Sequence, residues 1–197
     1  LLQFKERLAN ELGKQTERPV RIDILADVLE LSDERWRGAV EGYLNAQKFY
    51  LLIDPAYYQD ALSIYDRIKK EFGSSFGLVD IEKLREQERI DARQNSLAKK
   101  IETNNPLARS YVDYLLGRVV CCENASQLRN YKTAITAEGM LYQGYVARSI
   151  QRKWMDDAFI GRRAVSLRIS RLQEELAQIE NELRHWSPIS QLLSKQK

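Results

Sequence analysis

The last quarter of the chain carries a regular alternation of apolar and polar positions. Apolar residues recur at steps of four and three, at Val165, Ile169, Leu172, Leu176, Ile179, Leu183 and Trp186. Steps that alternate in this way over three heptads predict a helix that winds around another helix in a coiled coil. The alternative is an amphipathic helix packed on a globular core, which carries a similar stripe. The predicted helix, residues 161–186, is about 39 Å long, and Pro188 should interrupt it because proline removes a hydrogen-bond donor.

A second apolar stripe lies at the other end of the chain. Residues 1–16 place apolar side chains three or four positions apart, at Leu1, Phe4, Leu8 and Leu12. This spacing predicts a helix, and Arg18 should end it because the residue before a proline avoids helical geometry. Neither terminal helix can bury its stripe alone. We therefore expect the two to pack antiparallel as a coiled-coil stub.

Between the terminal helices, short apolar runs alternate with helical patterns. Residues 48–53 and 118–122 are apolar runs of strand length, which predict buried strands. A helical pattern precedes each run, at residues 40–44 and 112–116. Because the order of helix and strand occurs twice, we predict a diverged internal repeat that forms two small α/β subdomains.

Further elements are predicted in both halves of this middle region. Strands are expected at residues 76–81, 140–142 and 145–150, and a short helix at residues 24–31. Residues 82–104 are crowded with charge and show little apolar periodicity. That composition favours a solvated helix or a mobile linker between the halves.

Together these patterns predict an α/β fold in five segments. Residues 1–17 form an N-terminal coiled-coil arm, 18–81 a first subdomain, 82–104 a linker, 105–158 a second subdomain and 159–197 a C-terminal coiled-coil arm. A chain of 197 residues, 44% of them hydrophobic, can bury one sizeable core or two small ones. Because the sequence begins within a predicted helix, we expect it to be part of a longer protein.

Motifs that would indicate catalysis are missing from the sequence. It contains neither a G-x-x-x-x-G-K-[ST] phosphate loop nor a strand followed by G-x-G-x-x-G. The single histidine, His185, lies in the heptad helix without a second ligand nearby, which argues against a zinc site or a histidine-dependent triad. The neighbouring acids Asp156 and Asp157 are more typical of a loop surface than of a metal site. We therefore expect this stretch to have no enzymatic activity, no metal and no cofactor.

The two cysteines and the hydropathy indicate a compartment. Cys121 and Cys122 are adjacent and point to opposite faces of a strand, so they suit neither a shared metal nor an ordinary disulfide. We expect two buried free thiols in a reducing environment. No run approaches the roughly 20 apolar residues that cross a membrane, and no signal peptide is visible. The expected location is the cytoplasm.

The most informative charge pattern is basic. Residues 148–171 carry seven cations and only Asp156 and Asp157 as acids, a net charge of +5 in a chain of +3. The cations are Arg148, Arg152, Lys153, Arg162, Arg163, Arg168 and Arg171. The cluster spans the boundary between the predicted second subdomain and the predicted C-terminal coiled-coil arm. Such a cluster predicts contacts with nucleic-acid phosphates without sequence preference. The alternative is an ordinary solvated surface whose charges pair with the acids between residues 82 and 88.

Three motifs support a resemblance to a known family. They are RWRGAVEGYLNAQKFYLL at residues 35–52, NPLARSYVDYLLGRVVCC at 105–122 and FIGRRA at 159–164. With two α/β subdomains between antiparallel arms, the layout resembles the hinge domain of SMC proteins. The motifs themselves are similar to the SMC-like ATPase subunit of the Wadjet anti-plasmid defence systems. The resemblance covers roughly residues 20–165.

The resemblance implies a function that the spacing alone does not. SMC hinges dimerise through edge strands, so the resemblance implies a homodimer of this chain. Such hinges connect two long arms to ATPase heads in condensin-like machines that move or loop DNA, and Wadjet complexes act on plasmids in the bacterial cytoplasm. The other subunits would bind parts of the protein outside this chain. The predicted dimer interface consists of Phe76, Leu78, Val79, Met140, Leu141, Tyr142, Gly144, Tyr145 and Val146.

The sequence departs from typical hinges in one feature, and a rival interpretation is open. Typical hinges carry paired glycines at the interface, where this chain has only the scattered Gly139, Gly144 and Gly161. The rival is a coiled-coil adaptor that docks another protein and does not bind DNA.

Overall fold

The computed structural model describes residues 1–72, 76–86 and 92–194, with the side chains of 185 and 187–194 outside that description. It divides the chain into two compact units, Leu1–Gly161 and Arg162–Lys197. The second unit contains one long helix, α7 (Ala164–Ser194). The first unit contains all the strands of the described residues.

The first unit begins with alternating short helices and strands joined by 3₁₀ turns. Its first half contains α1 (Leu2–Thr16), β1 (Ile22–Ile24), β2 (Glu30–Leu31), α2 (Arg37–Leu44), β3 (Leu51–Ile53) and α3 (Tyr58–Ile68). Its second half contains α4 (Ile81–Glu86), β4 (Ile101–Glu102), α5 (Pro106–Leu116), β5 (Val120–Cys122), β6 (Thr133–Thr136), β7 (Met140–Gln143), β8 (Val146–Ser149) and α6 (Arg152–Met155).

The strands of the first unit form three small sheets. β1 pairs antiparallel with β3, and β2 pairs antiparallel with β4. The third sheet has the order β5-β6-β7-β8, in which β5 and β6 are parallel and the other pairs are antiparallel. Mixed helix and sheet confirm the predicted α/β class.

Several local predictions are confirmed because their signals are short-range. Asn105 caps α5 by accepting hydrogen bonds from the backbone N–H groups of Leu107 and Ala108, and Pro106 occupies the first helical position. The predicted strands at 48–53 and 118–122 appear as the shorter β3 and β5. The predicted strands at 140–142 and 145–150 appear as β7 and β8.

The predicted helix at residues 24–31 is wrong. The chain instead completes β1, makes a 3₁₀ turn over Leu25–Val28 and continues into β2. Ile24 pairs with Leu51 of β3, and Leu31 pairs with Ile101 of β4. The strand partners lie far away in sequence, so pairing overrides the local helical pattern.

The predicted strand at residues 76–81 is reduced to one bridge. Leu78 pairs in parallel with Leu51 of β3, and the chain enters α4 at Ile81. The segment therefore lies beside β3 as a single-residue extension of the first sheet.

The described part of the predicted linker 82–104 is folded. Leu97 and Ala98 are buried, and Arg109 of α5 donates hydrogen bonds to the carbonyl oxygens of Ala98 and Ile101. One hydrophobic core runs through both halves of the first unit. The charged pattern misled because the apolar side chains described in this segment, such as Leu84, Leu97 and Ile101, are buried or half-buried. Residues 87–91 lie outside the described residues.

The predicted partner of α1 is wrong. The Phe4 ring lies within 5.2 Å, centroid to centroid, of the rings of Tyr65, Phe72 and Phe76. Leu8 and Leu12 are also buried, and α1 packs on α3. The apolar stripe of α1 is therefore buried inside the first unit, which includes residues 1–17.

The second unit is helical, as predicted, but its helix ends later than predicted. The backbone of α7 stays helical through Pro188 to Ser194, so the predicted interruption is wrong. Proline removes only one intrahelical hydrogen bond, and the turns on both sides continue. The seven stripe residues from Val165 to Trp186 are 51–65% exposed. An exposed heptad stripe requires a second helix to bury it.

Candidate functional site

An open strand edge is the first candidate feature. β8 is the outer strand of the four-stranded sheet, and all four of its residues are exposed. The opposite side of that sheet is covered, because Leu97 donates a 2.8 Å hydrogen bond to the carbonyl of Val119 and Ser96 bridges Val120. Within the described residues, β8 is therefore the edge of this sheet that can accept another strand.

The hairpin turn before β8 sets which backbone groups face outward. Gly144 and Tyr145 have φ angles of 58° and 64°, which defines a type I′ turn between β7 and β8. In such a two-residue turn the flanking pair, Gln143 and Val146, exchanges both backbone hydrogen bonds. Along an antiparallel ladder, pairs that exchange hydrogen bonds alternate with pairs that do not. The N–H groups of Ala147 and Ser149 consequently point away from β7, into solvent.

A second open edge lies beside β3. Leu51 donates a 2.8 Å hydrogen bond to the carbonyl of Gly77, and Val79 donates a 3.0 Å hydrogen bond to the carbonyl of Leu51. Because N–H and C=O of one strand residue point to the same side, those of Leu78 face away from β3. The edge is covered at Phe76, where the Tyr65 hydroxyl donates to the carbonyl and accepts from the N–H. Each half of the first unit thus presents one open edge, at β8 and at Leu78.

The predicted interface residues separate into three groups by burial. Tyr145 is 95% exposed and Val146 is 57% exposed, and Gly144 borders open space. Leu141 and Val79 are core residues, and Phe76 stacks near Phe4. Met140 and Tyr142 are half-buried against a small cluster around Leu128, and Leu78 is half-buried. Assigning Leu141 and Val79 to the interface is wrong, since side chains alternate along a strand and theirs point inward.

A buried ion pair is the second candidate feature. The Lys48 Nζ lies 2.6 Å from the Glu41 Oε2, and both side chains are fully buried. Lys48 also donates a 3.2 Å hydrogen bond to the Glu41 carbonyl, and its ammonium lies 5.0 Å from the centre of the Phe159 ring. Burial lowers the pKa of Lys48, and the Glu41 carboxylate opposes that change. The carboxylate thus favours the charged form of Lys48, whereas burial favours the neutral form.

The same carboxylate holds the segment that leads into α7. The Glu41 Oε1 accepts hydrogen bonds of 2.6 and 2.8 Å from the backbone N–H groups of Phe159 and Ile160. Arg37 donates a 2.7 Å hydrogen bond to the carbonyl of Ile160. We call Arg37, Glu41, Lys48 and the backbone of residues 159–160 the Glu41 clamp.

The clamp joins two of the sequence motifs. Glu41 belongs to the motif at 35–52, and Phe159 belongs to the motif at 159–164. The nearby Gly42 reinforces the contact, because a Cβ there would lie 2.7 Å from Ile150 and 2.8 Å from Met155. Sequence analysis did not find the clamp. Its only signal is a charged pair seven residues apart within an otherwise apolar stretch.

The basic residues are divided between the two units. Arg148 lies on β8, at the rim of a polar cleft that Tyr43 and Trp154 also line. Arg152 and Lys153 are exposed on α6. The remaining four, Arg162, Arg163, Arg168 and Arg171, belong to the second unit. Of these, Arg171 forms a 2.9 Å ion pair with Glu175. The cations are thus close together in sequence but lie on separate elements, namely β8, α6, α7 and the loop before α7.

The cysteines carry no reactive chemistry in this fold. Both thiols are free, Cys122 is buried and Cys121 is half-buried. Burial raises the pKa of Cys121 to about 12, so its nucleophilic thiolate is scarce at neutral pH. Among the described residues, no group of histidine, cysteine and acidic side chains is arranged to hold a metal ion. No described helix is long and apolar enough to span a membrane.

Comparison with known proteins identifies structural relatives. No protein-family model matches the chain, and a search of curated proteins finds no match. Among solved structures, the Pyrococcus furiosus SMC protein hinge domain is 18% identical with a TM-score of 0.53, over 75% of this chain and 82% of that chain. The Pyrococcus furiosus Smc hinge domain with an extended coiled coil is 18% identical with a TM-score of 0.55, over 98% and 72%.

A bacterial structure extends this comparison. The Geobacillus stearothermophilus SMC hinge domain, solved as an asymmetric dimer, is 15% identical with a TM-score of 0.52, over 91% of this chain and 79% of that chain. All three structures are at most 18% identical to this chain, so the likeness concerns the fold alone. The chain has the mixed α/β fold of SMC hinge domains.

Proposed function

We propose that this chain is the dimerisation hinge of an SMC-like ATPase that translocates or loops DNA. Two copies join through their open strand edges, β8 of one copy pairing with the Leu78 segment of the other. Arms built on α7 lead to ATPase parts outside this chain. The chain itself carries no active site and needs no cofactor.

The observation that carries this proposal is the pair of open edges. Within a fold shared with SMC hinges, one edge lies in each half of the first unit, at β8 and at Leu78. An exposed edge is an aggregation hazard unless another strand covers it. Two copies related by a two-fold axis would cover both edges of both copies, so no open edge would remain for a third copy to join. The Geobacillus stearothermophilus hinge was itself solved as a dimer.

DNA contact is the second part of the proposal. The exposed cations Arg152 and Lys153 of α6 and Arg162 and Arg163 ahead of α7 supply phosphate-binding groups. Arginine and lysine contacts to phosphate position DNA without reading bases. Together with the motif resemblance to the Wadjet subunit, this favours a role in plasmid defence, in the bacterial cytoplasm at the nucleoid or at plasmids.

A second candidate function rests on the exposed stripe of α7. Its apolar residues are more than half exposed and suit a partner helix from another protein. A coiled-coil adaptor would use this stripe and would bind neither DNA nor a second copy through β8. The open edges favour the hinge.

An edge-blocking variant tests the dimer. Ala147→Pro removes an outward N–H and places a ring on the free side of β8, where an edge strand tolerates proline. We expect the dissociation constant of the dimer to rise roughly 100-fold, because a strand cannot pair without that donor. Ala147→Val is the matched control, since it keeps the N–H and suits a strand. Sedimentation velocity measures both.

Two results of this experiment would count against the hinge. One is an Ala147→Pro protein that dimerises as tightly as Ala147→Val. The other is a loss of the native circular dichroism spectrum in Ala147→Pro but not in Ala147→Val, because the Ala147 N–H would then bond within the fold instead of pointing outward.

A further inference from the structure

The tip of the β7–β8 hairpin carries a side chain that the fold itself does not explain. Type I′ turns favour asparagine or glycine at positions with positive φ, and a bulky residue there is sterically disfavoured. Tyr145 nevertheless occupies such a position, with φ 64°. It is also the most exposed aromatic side chain in the described part of the chain. Neither turn geometry nor packing within the described residues accounts for a tyrosine here.

An apolar cleft lies beside the other open edge. It has a volume of about 360 Å³ and is lined by Leu1, Ala46, Phe49, Tyr50, Phe76 and Gly77. The Tyr50 ring forms one wall because Gly77 has no side chain. A Cβ at Gly77 would lie 2.4 Å from that ring. The cleft thus offers aromatic faces directly next to Leu78, whose backbone groups face outward.

We propose that Tyr145 of one copy inserts into this cleft, hereafter the Tyr50 cleft, of a second copy. The inference rests on the proposed dimer and names the contact that anchors it. In a parallel pairing, the outward N–H and C=O of Ala147 bond to the carbonyl of Leu78 and the N–H of Asp80, which sets Ala147 opposite Val79 and Tyr145 opposite Gly77 of the Tyr50 cleft. Strands advance about 3.3 Å per residue, so two residues before the Ala147–Val79 pair the strands still lie side by side, with Tyr145 next to Gly77.

The chemistry of the two surfaces is complementary. An aromatic side chain prefers edge or offset contacts with other rings, and the cleft supplies those of Phe49, Tyr50 and Phe76. Tyrosine is enriched among residues that dominate protein interfaces, because it buries a large rigid area. Two-fold symmetry makes the contact twice per dimer, since each copy carries one tip and one cleft. The tyrosine therefore selects a second copy of this chain as the occupant.

A pair of variants tests each side of the contact. Tyr145→Asn removes the ring and introduces a residue that type I′ turns prefer, so the hairpin is retained. Ala46→Arg places a charged side chain over the Tyr50 cleft, with Ala46→Ser as its control. We expect Tyr145→Asn and Ala46→Arg each to raise the dimer dissociation constant about 30-fold or more. Tyr145→Phe should dimerise like the unaltered protein.

Mixing the two weakened variants gives the sharper test. Neither homodimer retains a complete contact, but a mixed dimer combines the intact Tyr145 of the Ala46→Arg copy with the intact cleft of the Tyr145→Asn copy. Native mass spectrometry separates the three dimers by mass. We expect mixed dimers to exceed the half that random pairing would give.

The outcomes separate this inference from the proposed function. If the unaltered protein is a monomer, both are overturned. If Ala147→Pro disrupts the dimer while Tyr145→Asn dimerises normally, the dimer stands and the Tyr145 contact is overturned. Random pairing in the mixture overturns the contact as well, because each variant would then act within its own chain.

Discussion

Replacing Lys48 with methionine should lower the free energy of unfolding by about 3–5 kcal/mol. Methionine has a similar length but leaves the Glu41 carboxylate buried without its cation. The nearest remaining cation is Arg37, whose Nη1 lies 3.7 Å from the Glu41 Oε1. Urea denaturation followed by circular dichroism, at one fixed protein concentration, measures the loss.

A double variant provides the matched control for this prediction. Glu41→Gln keeps an oxygen that accepts from the N–H groups of Phe159 and Ile160 while removing the charge. Combined with Lys48→Met, it leaves no unpaired buried charge, so most of the lost stability should return. Neutral replacement of a buried ion pair is often tolerated, whereas removing one partner is not. Additive losses in the double variant would show that the two charges do not interact, contrary to the Glu41 clamp.

Changing Arg152, Lys153, Arg162 and Arg163 together to glutamate should abolish binding to duplex DNA. We expect the unaltered protein to bind with a dissociation constant of about 10⁻⁴–10⁻⁶ M at physiological salt. If four phosphates are neutralised, the affinity should fall roughly 100-fold between 50 and 200 mM salt, since counterions are released. Fluorescence anisotropy with two unrelated duplexes measures affinity, salt slope and the absence of base preference.

The control for charge reversal alters the same number of charges elsewhere. Arg7, Lys14, Arg18 and Lys70 are exposed cations of the first unit outside the basic segment. Their replacement by glutamate changes the net charge equally and should weaken binding less. Equal losses in both variants would indicate that overall charge, rather than the basic segment, attracts DNA. Absence of binding by the unaltered protein at low salt would favour the adaptor.

Local sequence signals predicted the elements that depend on neighbours in the chain. The Asn105-Pro106 pair begins α5 as expected, because capping needs only groups within one turn. The strands β7 and β8 were predicted at residues 140–142 and 145–150 from short runs on either side of Gly144. Both features are properties of a few consecutive residues.

Features set by distant contacts were not predictable from those patterns. The stripe of α1 is compatible with a coiled coil or with a core, and only the rings of Tyr65 and Phe72 decide for the core. Lys48 looks like a surface residue until Glu41 and Phe159 enclose it. In both cases the contacting residues lie in another element, so the local sequence pattern does not show whether the side chain is buried in the core.

The candidate interface shows the same division. The predicted interface residues Tyr145 and Val146 are exposed, since both lie at or next to the tip of a hairpin. Leu141 and Val79 were placed on the interface because their strands were, although a strand presents alternate residues to opposite faces. Which face is buried depends on what packs there.

Hydrogen exchange of the β8 amides tests the central claim most directly. The N–H groups of Ala147 and Ser149 point outward, whereas those of Val146 and Arg148 bond to β7 and serve as the internal reference. If two copies join through β8, the outward amides should become protected as the protein concentration rises from about 1 to 100 μM, an expected range for a modest interface. Outward amides that exchange as freely at the highest concentration as at the lowest would contradict the hinge.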